Sequence, residues 1–331
     1  MKKHFLIIIA LIIFTVFTVA CSAVEQEVDA PSGLEESDDL DYSRVQIGIS
    51  LAGTGAFYDQ LSEDIRLACE KLDYEANIVV ADNGAKQQSD VLSMVSAGAA
   101  VVVIDPVDVD VFESVLADCE TAGVPVISII DQINGSFSTL LSPDYQQIGE
   151  TVGQRAAALF PQGEGRCLEL KSDYDSFIMQ LMSDGFEASV SDNEGIEIVA
   201  DVFCGYDEEK AFTETKNNIL LNDVNFVFAH NAALAKGALR AIEESGKSVH
   251  LVVYGGEMDL LRSVQSGKLD TAIFFGTKDL TDIIIGIADE FIKSATYTPD
   301  PYVKLKIDAV TADNVAGYIS DLLYAQVKED E

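Results

Sequence analysis

Residues 100–130, AVVVIDPVDVDVFESVLADCETAGVPVISII, decide the fold. Ala100 to Ile104 is a fully apolar strand, and a helix follows it from about Val109 to Ala122. Gly123-Val124-Pro125 breaks that helix and starts another strand, Val126 to Ile130. Continuous apolar strands separated by amphipathic helices belong to a parallel sheet covered on both faces.

The same alternation extends in both directions. Upstream, the strand Val45 to Ser50 precedes a helix from Asp59 to Tyr74, with Leu61, Ile65, Ala68 and Leu72 at helical spacing. Strand Ile78 to Ala81 and a helix from about Ala85 to Ala97 follow. Downstream, the rhythm restarts with helix Tyr145 to Leu159, strand Arg166 to Leu170, helix Ser176 to Ser189 and strand Ile196 to Phe203. Helix Glu208 to Leu221, strand Phe226 to Ala229, helix Ala232 to Ser245 and strand His250 to Tyr254 come next. Asp259 to Gln265 is a short helix before strand Thr271 to Phe275. Two successive βα runs predict an α/β fold of two doubly wound, Rossmann-like lobes; strand counting leaves one barrel open as the alternative. The roughly 290 residues from Ser43 onward also suit two lobes better than one core.

The N-terminus has a different character. Lys2 and Lys3 precede an apolar run from Phe5 to about Phe17, and Thr18-Val19-Ala20 leads into Cys21. This is the layout of a secretory signal. The cysteine after small residues resembles the lipobox of bacterial lipoproteins, with Thr18 where that family usually has Leu, and it implies acylation of Cys21. A single uncleaved anchor is the alternative, although the run is short of the roughly 20 residues that span a bilayer. Either way the rest of the chain is expected to work outside the cytoplasm. Residues 1–20 are read as signal peptide and 21–43 as an acidic, disordered tether, with Pro31, Ser32 and Gly33 as breakers. Removing residues 1–20 deletes two lysines and no acids, so the formal charge moves from −35 to −37. Such an excess repels phosphate backbones and excludes nucleic acid as a partner.

Chemical motifs fail. Gly246-Lys247-Ser248 lacks the first glycine of a phosphate loop, since residue 241 is Ala, and Gly53-Thr54-Gly55 lacks the third glycine of a dinucleotide fingerprint, since residue 58 is Tyr. Outside the signal segment only His230 and His250 remain, too few for a histidine metal site. No Gly-x-Ser-x-Gly elbow supports a triad, although a linear reading does not exclude one. No cofactor, no metal and no enzymatic activity are expected. Cys69 and Cys119 lie on apolar helix faces and read as buried thiols; a disulfide between Cys167 and Cys204 is left open.

Four segments carry a resemblance. They are Ile104-Asp105-Pro106-Val107-Asp108 ("NPVD" in the family), Ala122-Gly123-Val124-Pro125-Val126-Ile127 ("AGIPVI"), Phe228-Ala229-His230-Asn231 followed by Gly237-Ala238-Leu239-Arg240-Ala241, and Ser266-Gly267-Lys268-Leu269. In this order and spacing they resemble the periplasmic binding proteins of type I, ribose/galactose branch, over Val45 to Pro301. The resemblance implies a monomer with two lobes, 44–146 plus 277–303 and 147–276 plus 304–331, joined by a three-segment hinge. It further implies a ligand captured between the lobes by hinge closure, an ABC permease as membrane partner, and no catalysis. A receptor of the same fold that feeds a sensor kinase or chemoreceptor is the alternative.

The resemblance also places the site. Phe57 and Tyr58 stand where the family has stacking aromatics, and Asp131-Gln132 where it has Asp-Arg. Gln180 stands at another family arginine, and Asn231 matches in register, with Ala232 in place of the following Asp. Tyr254-Gly255 replaces Phe-Asp, and Phe275 replaces a hinge-side Gln. These departures imply a pocket that is less charged and more aromatic, with a small neutral, sugar-like ligand; a nucleoside or other neutral ring compound stays open. The alternatives for single residues are core packing for Phe57 and Tyr58, hinge packing for Phe275 and a capping role for Asp131.

Overall fold

In the computed structural model, which describes residues 44–172 and 177–320, β1 (Val45–Leu51) is buried from Ile47 onward. The expected signal segment, Cys21, the acidic tether and residues 321–331 lie outside the described residues. After β1 come α1 (Ala56–Lys71), β2 (Tyr74–Val80), α2 (Gly84–Ser96), β3 (Val101–Ile104), α3 (Glu113–Ala122), β4 (Val126–Ile129) and β5 (Thr139–Pro143). The chain then enters a second sheet through α4 (Tyr145–Leu159), β6 (Gly165–Lys171), α5 (Phe177–Ser191), β7 (Ile196–Phe203), α6 (Glu208–Leu221) and β8 (Phe226–Ala229). It continues with α7 (Ala232–Ser245), β9 (His250–Tyr254), α8 (Met258–Gln265) and β10 (Thr271–Phe274). Finally α9 (Thr277–Lys293) and β11 (Tyr302–Leu305) return to the first sheet, and β12 (Asp308–Val310) crosses once more to the second.

The strand orders are β2-β1-β3-β4-β5-β11 and β7-β6-β8-β9-β10-β12. Every pairing is parallel except β10 with β12, where Phe274 faces Asp308. The two sheets are separate, so the barrel alternative is excluded, and the two doubly wound lobes expected from the sequence are present. Both faces of each sheet are covered, which is why the inner strands read as unbroken Val/Ile runs rather than alternating ones. Ile65 and Leu61 of α1 meet Ile284 and Leu280 of α9 on one face of the first sheet, while α2 and α3 cover the other. On the second sheet α4 and α5 cover one face, and α6, α7 and α8 the other.

α4 and α5 approach each other unusually closely. A Cβ at Gly149 would stand 2.0 Å from the Met182 carbonyl oxygen, and one at Gly185 would stand 2.1 Å from that of Gln146. Only glycine admits such backbone contact, so this interface depends on the absence of side chains.

Four elements are additional to those read from the sequence: β5, α9, β11 and β12. β2 also begins at Tyr74, which the helical pattern had claimed for the preceding helix. The four cysteines among the described residues, Cys69, Cys119, Cys167 and Cys204, are free and buried. Cys167 packs in the α4/α5 layer and Cys204 in the α6/α7 layer, on opposite faces of the second sheet, so no disulfide joins them. Burial pushes the Cys167 thiol up to about 12 and those of Cys69 and Cys204 up to about 11. These are structural, unreactive thiols.

Candidate ligand-binding site

Ligands of open parallel sheets bind beyond the carboxyl ends of the strands. In the first lobe the turns after β1, β3 and β4 meet there. Asp105 follows β3 and is 3% exposed. Its backbone is clamped by Gln87 of α2, whose Nε2 donates to the Asp105 carbonyl (2.6 Å) and whose Oε1 accepts from the Val107 N–H (2.8 Å). Its carboxylate accepts from the Ala52 N–H (3.3 Å) and lies against the Tyr58 hydroxyl. Burial pushes the Asp105 carboxyl up to about 7, with Asp131 adding to the rise and the Tyr58 hydroxyl and Ala52 N–H opposing it.

Asp131 is held by the backbone. Ile130 adopts φ 66°, which is rare for a β-branched residue. The Ser142 hydroxyl donates to the Ile130 carbonyl and the Ser128 hydroxyl to the Asp131 carbonyl, both at 2.6 Å. Strain held in place by surrounding hydrogen bonds is characteristic of functional positions. Burial raises the Asp131 carboxyl above its usual range.

The second lobe contributes Tyr254, at the end of β9, and Tyr206, in the turn after β7. Tyr254 packs edge-on to Tyr145 with ring centroids 6.0 Å apart, and it senses both Asp131 and Tyr206. Tyr58, from the first lobe, senses Tyr206 and Tyr254 in turn. Tyr58 and Asp131 of the first lobe therefore lie near Tyr254 of the second, with Tyr206 near both tyrosines. Burial, with nearby carboxylates, raises the Tyr58 and Tyr254 hydroxyls well above the ordinary phenol value, so both remain donors.

Of the residues expected at the site, Phe57, Tyr58, Asp131, Tyr254 and Phe275 are drawn into this region. Phe57 lies edge-on to Tyr58 (5.3 Å) and to Phe275 (5.6 Å). Phe275 is 8% exposed and packs in the first lobe's core with Leu280 and Ile284, so its ring braces Phe57 as hinge packing. Asn231 has both ends of its amide engaged. Its Oδ1 caps α7 at Leu234 N–H and its Nδ2 donates to the Gly205 carbonyl, each at 3.0 Å. It thereby anchors the turn that carries Tyr206. Gln132 is exposed, and Gln180 bonds Asp184 (2.6 Å) along the exposed side of α5. Among the described residues, neither side-chain amide bonds a member of the aromatic cluster.

Three members escaped the sequence reading. Asp105 was read only as part of a matching segment, and Tyr206 lies in a turn with no periodic signal. The third is Glu257. Its Oε2 lies 2.8 Å from the place a Cβ on Gly255 would occupy. Position 255 is where the resembled family carries an aspartate, and Glu257 brings a carboxylate beside it.

Two surface depressions lie elsewhere, one of about 560 Å³ on α2 beside Gln88 and Leu92, the other of about 500 Å³ at the starts of β6 and β7. No group of three metal-ligating side chains occurs among the described residues, and none of their helices is long and apolar enough to cross a membrane.

Comparison with known proteins agrees with this fold. The ribose import binding protein of Bacillus subtilis (strain 168) is 27% identical over 277 residues, covering 82% of this chain and 88% of that protein. Among solved structures, the periplasmic binding protein of the arabinose ABC transporter from Shewanella sp. ANA-3, bound to L-arabinofuranose, superposes with a TM-score of 0.75 at 18% identity. That match covers 87% of this chain and 98% of the other. A solute-binding protein from Actinobacillus succinogenes 130z with bound D-allose gives a TM-score of 0.75 at 19% identity, covering 83% and 100%. Residues 47–295 match the periplasmic binding protein domain, and the chain belongs to that family of extracytoplasmic, type I sugar-class binding proteins.

Proposed function

We propose that this chain is the lipid-held solute-binding component of an ABC importer, capturing one sugar-sized polyol between its lobes by hinge closure. The observation that carries this reading is the placement of Tyr58 and Asp131 from one lobe opposite Tyr206 and Tyr254 from the other. Such an arrangement binds one ligand with both halves, so ligand favours the closed form by its differential affinity for it. The three chain crossings, at 143–145, 274–277 and 305–308, are the segments about which the lobes turn. Acylation of Cys21 holds the domain at the membrane near its permease, and the acidic stretch 21–43 supplies reach.

The test is calorimetry and small-angle scattering of the full chain in detergent against pentoses, hexoses and polyols. A ligand that binds one to one and shrinks the radius of gyration supports the reading. Asp131→Ala and Tyr254→Ala are each expected to weaken it on the order of 10- to 100-fold, the worth of a charged hydrogen bond or a desolvated aromatic contact. Unchanged affinity in both variants would place the solute elsewhere. Radiolabelled palmitate incorporation lost in Cys21→Ser tests the anchor.

A further inference from the structure

The chain holds two Asn-Gly pairs, Asn83-Gly84 and Asn134-Gly135, and one Asp-Gly pair, Asp184-Gly185. At such pairs a side-chain carbonyl carbon and the next backbone nitrogen can meet, because glycine puts no Cβ in the way. The fold separates the three. Asp184 and Gly185 lie inside α5, where helical backbone holds the two atoms apart. Asn83 is the N-cap of α2 and is held at every polar end. Its Oδ1 accepts from the Lys86 N–H (2.9 Å), its Nδ2 donates to Asp82 (2.7 Å), and its backbone carbonyl accepts from the Gln87 N–H (3.0 Å). Asn134 and Gly135 instead lie outside every described helix and strand, and both are exposed. The Gly135 N–H and the Asn134 Oδ1 take no hydrogen bond among the described residues. Asn134 is held only by its Nδ2, which donates to Asp110 Oδ1, and by its backbone N–H, which donates to the Val109 carbonyl (2.9 Å). These two bonds pin the loop after β4, which carries Asp131, to the loop after β3.

We propose that Asn134 is a site of spontaneous covalent modification, an asparagine that converts to aspartate and isoaspartate with water as its co-reactant. The Gly135 nitrogen adds to Asn134 Cγ, and the new N–Cγ bond closes a five-membered imide. The Cγ–Nδ2 bond breaks, and Nδ2 leaves as ammonia with the Gly135 amide proton. Water then opens the ring at either carbonyl, leaving a carboxylate on a normal or a lengthened main chain. Either product replaces the donor to Asp110 with a second carboxylate facing it, and like charges that close repel. The pin between the two loops is lost beside Ile130, whose left-handed backbone (φ 66°) persists only under constraint. The reaction runs with or without a bound solute.

The experiment is peptide mapping by mass spectrometry of the full chain in detergent, incubated at mildly alkaline pH both folded and in urea. In the folded chain Asn134 is expected to convert on the order of 10-fold faster than Asn83, the rate worth of the capping bonds that ring closure at Asn83 breaks. In urea the two pairs are expected to convert at like rates. Asn134→Gln sets the side-chain carbonyl one carbon too far for the five-membered ring. It is expected to stop conversion at 134 and to leave the rate at Asn83 unchanged. Conversion at 134 no faster than at 83 in the folded chain overturns the proposal, and so does a difference that persists in urea. Asn134→Asp carries the product charge from the start. It is expected to speed backbone amide exchange over residues 131–138 about 5-fold, the worth of one lost hydrogen bond, with β8 unchanged. Parent-like exchange over that stretch overturns the loss of the pin.

Discussion

The two lobes repeat one topology but hold it together by opposite means. In the first, the layer over β1 is filled: Ile65 and Leu61 interlock with Ile284 and Leu280, all essentially inaccessible. In the second, α4 and α5 meet where side chains are missing, at Gly149 and Gly185. The site follows the same division. The first lobe's carboxylates are clamped, the buried Asp105 by Gln87 and the half-buried Asp131 by the strained turn at Ile130. The second lobe presents Tyr206 and Glu257 on exposed turns. One half is pre-formed, and the other brings exposed groups to it.

The sharpest way to break the comparison is to reverse the packing. Gly149→Ala forces backbones apart and is expected to destabilise by about 3 kcal/mol, although it adds apolar surface. Ile284→Ala is expected to cost about 3 kcal/mol by leaving a cavity. Urea unfolding of both variants measures this. If Gly149→Ala were neutral, the second lobe would not depend on backbone contact.

Asp105 and Glu257 test the buried against the exposed half of the site. Asp105 titrates near 4 in the unfolded chain and is pushed up to about 7 in the folded one by burial, between the Tyr58 hydroxyl, the Ala52 N–H and Asp131. Between those values the folded chain keeps a proton that the unfolded chain has released. Its contribution to stability is therefore full below pH 4, falls as pH rises to 7 and is flat above. Asp105→Asn removes that fall and is expected to stabilise the ligand-free protein by about 2–4 kcal/mol at pH 8. Burial also raises the Glu257 carboxyl, so Glu257→Gln is expected to lessen the fall in the same direction as Asp105→Asn, by a smaller amount. Thermal unfolding from pH 4 to 8 compares them, and parallel profiles for Asp105→Asn and the parent would show that Asp105 carries no such shift.

Asn231→Ala removes an N-cap and releases the Tyr206 turn; a loss of about 1 kcal/mol in urea is expected, with a fall in ligand affinity. Retained affinity despite the stability loss would confine Asn231 to capping. The smallest effect is expected at Gly286, which lies exposed within α9 with nothing within 4 Å of an added Cβ. Gly286→Ala is expected to stabilise by about 0.7 kcal/mol, since helical glycine there pays only its entropy.

Much of the fold was legible because buried parallel strands advertise themselves. Ala100 to Ile130 contains two apolar strands, a helix and a Gly/Pro break, and the second lobe's β7, α6, β8, α7 and β9 match their expected limits. β5 was hidden because Thr139–Pro143 is short and ends in proline, and β11 and β12 because their pairing partners lie far away in sequence. The site was legible where a residue type matched a position, as at Asp131 and Tyr254. It was not where a turn brings in a residue from further along the chain. Glu257 comes beside Gly255 because the Gly255-Gly256 turn folds it back, and a linear reading does not show that approach. The left-handed Ile130 likewise leaves no mark in sequence, since isoleucine is a strand former everywhere else.

The three crossings also set a schedule. Leu140 of β5 waits for Tyr302, and Phe274 of β10 waits for Asp308. A chain emerging N-terminus first, from a ribosome or through a membrane, therefore completes the first sheet only when residue 305 has appeared and the second only at residue 310. Until residue 305 both lobes stay open-edged together, a delay that keeps the polypeptide threadable through a narrow passage and makes its final folding a single late event.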